Sequence, residues 1–568
     1  MSQITVNDLT FSYDTTYDNI FEHVSFLIDT DWKLGFIGRN GRGKTTFLKL
    51  LMGIYEYKGS ITASVNFDYF PFEISDPKLD TMEIIKNTIA PFTMWEQELE
   101  ECLRLHEGEQ SMAHDNQQNT SYDNQQSTTN SNQQNTSFDN QRGIESSEPS
   151  ISPSMERYGR VLDLYQDHDG YVIEELIEKE LGKIKVDQSV LTRAFSTLSF
   201  GERTKIMLAA LFFKKNNFLL IDEPTNHLDM EGREILADYL QTKKGFILVS
   251  HDRSFLDQCI DHVLSINRTN IEVQRGTFSS WQQNKELQDN FELNRNEQLK
   301  KDISILNDSA RRAMGWSDQI EAGKIGNHVF DRGAVGHKTA KMMKRAKSIE
   351  NRKFGAIDEK KGLLKNIELK EPLKMNLLSF PNKRLIEAED LSLFYEERGI
   401  ASNIDFTLRS GDRLAIRGRN GSGKSSLFKL LLGEQITYTG RYHVAAGLKI
   451  SYVSQDTSYL NGDLKDFAVR YGLDETIFKT VLHQLDFSRN QFEKDIRDFS
   501  GGQKKKVLLA KSLAEPAHVF LWDEPLNFVD VFSRIQIEEL ILKYQPTMIF
   551  IEHDKMFGEK IGTMEIRL

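Results

Sequence analysis

The sequence predicts an α/β fold: two similar domains of apolar strands alternating with helices, joined by a long α-helical hairpin. Three observations carry this expectation. The chain repeats itself, with GRNGRGKTT (38–46) returning as GRNGSGKSS (418–426) and FLLIDEPTNHLD (218–229) returning as VFLWDEPLNFVD (519–530). Each glycine-rich stretch stands between a strand-like run (KLGFIG, RLAIRG) and a helical one (TTFLKLLMG, SSLFKLLLG), the order of an α/β unit. Between the repeats, Leu299, Ile303, Leu306 and Ala310 recur at the spacing of a helix that packs along one stripe.

The length of 568 residues exceeds what one hydrophobic core can organise. With 39% hydrophobic and 27% charged residues the composition is that of ordinary globular protein. A formal charge of −12 excludes a chain that coats nucleic acid on every face, while leaving local basic patches open. Cys102 and Cys259 build neither a disulfide framework nor a zinc site, as expected of a protein in a reducing cytoplasm. The start, MSQITVNDLTFSYD, lacks the basic-then-apolar order of a secretory signal. The longest apolar runs, FILV (246–249) and MIFI (548–551), are strand-length, far short of the ~20 residues of a membrane-spanning helix. The expectation is a cytoplasmic protein without a membrane-spanning segment.

Taken in order, the first domain covers 1–281. Ser199 follows Lys44 by 155 positions, whereas Ser500 follows Lys424 by 76, so the first half carries an insertion, placed at about 76–185. Its flanks, DTMEIIKNTIAPFTMWEQELEECLRLHEGE and RYGRVLDLYQDHDGYVIEELIEKELGKI, have helical periodicity and predict a protruding arm. Between them, 113–153 is rich in Asn, Gln, Ser and Thr and repeats NQQNTSYDNQ as NQQNTSFDNQ. Such a segment buries too little apolar surface to offset its ordering entropy, and is expected to be disordered. The linker is placed at 282–375, with its pattern broken at GWSDQIEAGKIGN (315–327), a tip at about 313–337 and a second helix near 338–354. From Lys324 to Lys353 nine Lys or Arg stand against Asp331 and Glu350, a stretch suited to RNA phosphates or to a solvated helix face. Trp316, Ile325, Val329, Phe330 and Val335 are candidates for RNA contact or for the lock of the hairpin. The second domain covers 376–568.

The chemistry lies in the repeated words. GxxxxGK[ST] is a phosphate-binding loop whose glycines let backbone N–H groups converge on phosphate oxygens at the positive end of the following helix. Here the loops comprise Gly38, Asn40, Gly41, Gly43 and Thr46, and Gly418, Asn420, Gly421, Gly423 and Ser426. Lys44 and Lys424 are expected to neutralise the β and γ phosphates of ATP, and Thr45 and Ser425 to hold Mg2+. Asp222-Glu223 and Asp523-Glu524 end apolar strands at the edge where ligands bind in parallel sheets. There the aspartates suit Mg2+, and the glutamates suit polarising the attacking water. His251 and His553 recur at 28 and 29 positions beyond those glutamates and suit sensing the γ phosphate.

Together these motifs resemble ABC-type nucleotide-binding domains across essentially the whole chain outside the insertions. The resemblance implies that Ser199, Gly201 and Glu202, and Ser500, Gly501, Gly502 and Gln503, form signature motifs, each binding the ATP held by the opposite domain. It implies adenine stacking by Tyr13 and Tyr395, and contact of Gln455 with Mg2+ and water. Departures are Phe72 in place of the family glutamine, Phe200 in place of a signature glycine, Phe499 before the second signature, and Leu526-Asn527-Phe528-Val529-Asp530 in place of Thr-Asn-His-Leu-Asp. Hydrolysis is expected at both sites, with the site using Lys44 and Ser500 impaired by Phe72. The arm and linker resemble those of ABC-F proteins, and the wording of the motifs is similar to their antibiotic-resistance branch. That resemblance implies a monomer with an intramolecular ATP sandwich that enters the tRNA exit site of the 70S ribosome. It would contact 23S rRNA, P-site tRNA and exit-site proteins, and displace lincosamides, streptogramin A compounds or pleuromutilins. Two other readings compete: a housekeeping ABC-F factor for stalled ribosomes, and the twin ATPase subunit of a membrane transporter.

Overall fold

Strands rich in Val, Ile, Leu and Phe, apolar on both faces, belong inside parallel sheets covered by helices, and each half builds one. The computed structural model describes residues 2–13, 19–106, 153–226, 228–266, 270–322, 373–395, 398–419 and 421–568, with 344, 348 and 352 as single positions. In the first half the sheet runs Asn66–Phe70, Asn217–Asp222, Phe246–Val249, Lys33–Ile37, His262–Ile266, Ile271–Arg275, parallel except for the last strand. In the second the order is Ile450–Val453, Val519–Asp523, Met548–Ile551, Arg413–Arg417, Met564–Arg567, all parallel. This order brings the ends of three neighbouring strands together in each half. They carry the phosphate loop, the Asp-Glu pair and the histidine.

A three-stranded antiparallel sheet packs beside each parallel one: Phe21–Asp29, Gln3–Phe11 and Lys58–Thr62 in the first half, Arg398–Arg409, Arg384–Tyr395 and Thr437–Val444 in the second. Between the two sheets lies one core, with Phe36, Phe47, Phe218 and Leu220 in the first half and Leu414, Phe428, Leu521 and Ile549 in the second. On the other face the helices cover a second core. In the first half this core takes in Val531 and Ile535 of the second, so the two halves share apolar packing.

The arm is helical as expected, with helices Thr81–Ile89, 92–106, Pro153–Asp167 and Ile173–Lys183. Phe92 meets Tyr165 edge-on at 5.7 Å, Trp95 meets His168 at 5.1 Å, and Glu98 pairs with Arg157, which clamps 92–106 to Pro153–Asp167. Pro153 opens a helix, as its fixed φ and missing N–H allow; the rest of the segment expected to be disordered lies outside the described residues, apart from this proline.

The linker departs from expectation in its limits. Helix Phe278–Ala322 begins ahead of 282 because Phe278 and Trp281, 1% and 6% exposed, are anchored in the first core. It also runs past 315 to Ala322, since a single Gly315 weakens a helix by only about 1 kcal/mol and does not end it. The second half starts before 376, as Leu373 and Met375 are buried in its core. Trp316, placed in the expected tip, falls within this helix; the tip beyond 322, with Ile325, Val329, Phe330 and Val335, and the basic return helix lie outside the described residues, the single positions excepted. No helix among the described residues is long and apolar enough to cross a membrane.

Candidate nucleotide sites between the halves

Each phosphate loop turns on a glycine in left-handed backbone, where any side chain would be strained and crowded. Gly43 and Gly423 have φ of 93° and 95°, and a Cβ on Gly43 would stand 2.5 Å from Ile20. The helices Lys44–Leu51 and Lys424–Leu431 start directly after them. Lys44 Nζ folds back to donate to the carbonyls of Gly38 (2.8 Å) and Arg39 (3.3 Å), and Lys424 Nζ to those of Gly418 (2.9 Å) and Arg419 (2.8 Å). Burial pulls both ammonium groups below their ordinary value; Asp530, Glu223 and Asp222 oppose it at Lys44, and Glu524 and Asp523 at Lys424. Thr45 Oγ1 donates to Asp222 Oδ2 at 2.9 Å, and Ser425 hydrogen-bonds Asp523. Thr46 bonds the hydroxyl of Tyr13 at 2.8 Å, while Ser426 is half-buried and Asn420 lies outside the described residues.

The carboxylates differ between the halves. Glu223 and Glu524 both sit in left-handed backbone, φ 53° and 46°, an arrangement that points each toward the histidine strand. His251 Nε2 stands 3.3 Å from Glu223 Oε1, and His553 Nε2 3.4 Å from Glu524 Oε1. Burial, and after it the neighbouring Asp222 charge, pushes the Glu223 carboxyl up to about 8 against the pull of Lys44 and Arg534. Its Oε1 is buried with no aligned hydrogen-bond donor. Glu524 accepts from Gln455 Nε2 at 2.9 Å and from Asn527 Nδ2. Burial alone would raise its carboxyl, but His553, Gln455 and Lys505 outweigh burial and hold it below the usual value. Burial and Glu524 together push Asp523 up to about 6, and burial drives His251 well below its ordinary value, which keeps that imidazole neutral. Phe72, at the position of Gln455, packs instead against the core and lines a separate cleft of about 640 Å3.

The signature serines open helices. Ser199 caps Phe200–Phe213 and Ser500 caps Gly501–Ala514, each in a reciprocal capping box with Glu202 or Gln503. These helix starts meet the opposite half. Asn40 Nδ2 donates to the carbonyl of Phe528 at 2.7 Å, and a Cβ on Gly502 would stand 2.8 Å from Asn40 Nδ2. On the other side Ser199, Gly201 and Glu202 line a cleft of about 520 Å3 with Gln455, Glu524 and His553, and Lys424 lines a neighbouring one of about 460 Å3 with Asp229 and His553. The structure therefore groups Lys44, Thr45, Asp222, Glu223 and His251 in the first half and Lys424, Ser425, Gln455, Asp523, Glu524 and His553 in the second, with Gly502 against Asn40 and with Ser199, Gly201 and Glu202 beside Glu524 across the halves; Tyr395 is not among them. That ring is largely exposed, whereas Tyr13 packs edge-on between Phe11 and Tyr55.

Sequence reasoning missed several groups. Tyr69 donates to the same Asp222 oxygen as Thr45 at 2.9 Å, and Asp530 accepts from Lys506 at 2.8 Å beside the Lys44 loop. Buried Arg253 of the first half pairs with Glu538 of the second, with one contact at 3.2 Å, and Trp281 meets Phe532 at 6.1 Å. Among the described residues, the ion pairs across the matching edge at the other site are the exposed Arg419–Glu231 (2.9 Å) and Lys555–Glu234 (3.7 Å). The motif repeat gave no signal for Glu538 and Phe532, which match Ala237 and Glu231 across the halves, whereas Tyr69 and Asp530 do recur, as Tyr452 and Asp229.

The residues fit ATP with Mg2+. Two buried lysines at helix starts offer positive charge to phosphates, and in each half a hydroxyl and an aspartate oxygen converge as the hard donors Mg2+ prefers. The ABC transporter family pattern matches residues 21–226 and 401–527, more than half of the chain. The chain belongs to this family. Its two ATP-binding domains make it an ATPase, and with the relatives below they place it with the ABC-F type.

The chain is 28% identical over 574 residues to the putative ATP-binding protein YdiF of Bacillus subtilis (strain 168), covering 100% of this chain and 80% of YdiF. It is 30% identical over 397 residues to the ATP-binding protein Uup of Buchnera aphidicola, covering 67% of this chain and 61% of Uup. It is 28% identical over 377 residues to the ribosome protection protein VmlR of Bacillus subtilis (strain 168), covering 65% of this chain and 68% of VmlR. Its fold is similar to that of the archaeal ribosome recycling factor aABCE1 in complex with the stalk protein aP1, with a TM-score of 0.54 and 15% identity over 99% of this chain and 87% of that one.

Proposed function

We propose that ATP held between the halves draws them together, and that the linker helix carries this movement to the ribosome. The observation that carries the reading is the seat of that helix. Phe278 and Trp281 are buried at its root, and Trp281 lies against Phe532 of the opposite half, so any rotation of the halves is levered along the helix. Its 45 residues span roughly 65 Å at the α-helical rise. The chain's relation to VmlR, named a ribosome protection protein, supports a ribosomal target.

In this reading domain 1 (1–281, with its arm), the linker (282–375) and domain 2 (376–568) keep the roles expected from sequence, with the junctions moved to the buried anchors at 278 and 373. Lys44 and Lys424 grip the phosphates, and the signature caps Ser500 and Ser199 close each site from across the interface. Thr45 with Asp222, and Ser425 with Asp523 and Gln455, would hold Mg2+, which neutralises phosphate charge when bound. Tyr13 and Tyr395 border the adenine. Glu524, ionised and held by Gln455 and Asn527, polarises water for attack on the γ phosphorus as the bond to ADP breaks, with His553 beside the γ phosphate. Glu223 and His251 do the same at the Lys44 site. There Phe72 packs against the core where Gln455 donates to Glu524, so Glu223 lacks that positioning amide, which makes that site the slower one.

The trapped protein, Glu223→Gln with Glu524→Gln, is expected to pellet with 70S ribosomes in ATP and to arrest translation; pelleting with membranes instead would refute the ribosomal reading. Within it we favour entry at the tRNA exit site, contact with 23S rRNA and P-site tRNA, and displacement of peptidyl-transferase antibiotics. The match to the putative ATP-binding protein YdiF spans this whole chain, and the second reading is a housekeeping translation factor. Expression in a susceptible host separates the two, since only the first raises tolerance to lincosamides, streptogramin A compounds or pleuromutilins.

A further inference from the structure

Lys505 is 1% exposed, a lysine as deeply buried as the core phenylalanines. It stands on helix Gly501–Ala514, five positions after the cap Ser500. Its Nζ donates to the carbonyl of Ser454 at 2.7 Å and to that of Asp523 at 3.3 Å. Those carbonyls immediately precede Gln455 and Glu524, which are themselves joined at 2.9 Å. A buried ammonium is costly unless its donors are used, and here they are spent on tying two loops to one helix. The equivalent position of the first half, five after Ser199, holds Thr204, a short hydroxyl side chain with no amine.

The two ends of this helix's first turns serve different sites. Its start presses on the Lys44 phosphate loop, where Gly502 lies against Asn40 and the Phe528 carbonyl. Little more than one turn later, Lys505 grips the glutamine loop and the carboxylate strand of the Lys424 site. A helix this short moves as a unit, so displacement of its start by nucleotide at the Lys44 site displaces Lys505 as well. From this we infer that Lys505 is a positioning residue that transmits occupancy of the Lys44 site to Gln455 and Glu524 of the Lys424 site. Communication runs in this direction because Thr204 offers no counterpart in the other half. The inference rests on the proposed pairing of Ser500 with the Lys44 site.

The test uses the full chain carrying Glu223→Gln, in which only the Lys424 site turns over. Ser500→Arg, which blocks the Lys44 site from across the interface, is expected to lower kcat at the Lys424 site about fivefold or more when Lys505 is present, and less than about twofold in Lys505→Thr. Lys505→Thr alone is expected to lower kcat with KM for ATP unchanged, because it misplaces the catalytic groups and leaves the phosphate grip intact. The same factor for Ser500→Arg in both chains, or no effect in either, overturns the inference. Threonine is the residue the same fold accepts in the first half, and Lys505→Met, which keeps the side-chain length, provides a second chain should the threonine variant melt early. Radiolabelled ATP retained at the Lys44 site, scored in the same samples, reports on the pairing by itself: its loss under Ser500→Arg supports the pairing, and its retention refutes that basis independently of Lys505.

Discussion

Replacing Arg253 by methionine deletes one partner of a buried ion pair that joins the halves, with Arg253 and Glu538 side chains 4% and 0% exposed. Removing one member of such a pair costs about 3–5 kcal/mol, most of it the penalty of leaving the other charge buried alone. Glu538 is not left wholly alone, because Lys560 stays 3.1 Å from its Oε2. That places the cost at the lower end, about 3 kcal/mol, or about 100-fold in the equilibrium between separated and closed halves. Energy transfer between dyes on Leu27→Cys and Val469→Cys, both exposed and one in each half, reads that equilibrium. The native Cys102 and Cys259 are buried and escape labelling. In a chain that cannot turn over ATP, the ATP concentration that closes the halves is expected to rise by about two decades in Arg253→Met. A shift within about threefold would mean that the pair contributes nothing to closure, and would refute the assignment of this edge as the firm one.

Other outcomes follow from the same contacts. Glu223→Gln, which leaves the Lys424 site active, is expected to retain more ATPase activity than Glu524→Gln, and Phe72→Gln to raise turnover at the Lys44 site; equal single-site rates contradict the asymmetry. The Glu223 carboxyl, raised from 4.5 to about 8, binds its proton more tightly in the folded protein, so its contribution to stability is complete below about 4.5 and is lost as pH rises through about 8. Urea unfolding of the nucleotide-free protein should therefore show Glu223→Gln gaining on wild type between about pH 5 and about pH 9, and a constant difference across that range would contradict the shift. Ser500→Ala removes a helix cap and is expected to cost about 1 kcal/mol, seen by calorimetry as a transition about 2–4 °C lower. Phe278→Ala should cost about 3–5 kcal/mol and loosen the root of the linker helix, detected as faster proteolysis near 278 with the ATP sites still able to bind.

Repetition made much of this molecule legible. GRNGRGKTT and GRNGSGKSS fixed both phosphate loops, and the Asp-Glu pairs fixed the strand ends that face them, because those functions demand particular residues at particular backbone positions. The motifs at 199–202 and 500–503 were legible through the family resemblance, and the structure shows each opening a helix through a capping box. What escaped was set by packing between distant segments. Phe278 and Trp281 look like ordinary helix residues until the first core buries them and Phe532 meets Trp281, and Arg253 and Glu538 are 285 positions apart. Periodicity placed a break at Gly315, yet neighbouring turns carried the helix onward to Ala322. The substitution of Phe72 for glutamine was visible in sequence, and its consequence, a buried Glu223 without the amide that Glu524 enjoys, became visible only with the carboxylates in place.

The claim on which the rest depends is that each nucleotide is held by one half and closed by the other. Equilibrium binding of photoreactive ATP to the Glu223→Gln, Glu524→Gln chain tests it directly, with labelled peptides assigned to either half. The account predicts two nucleotides per chain, and loss of the one bound at Lys44 when Ser500→Arg is added in the opposite half. If Ser500→Arg instead removes the nucleotide at Lys424, in its own half, the cross-half sandwich is contradicted.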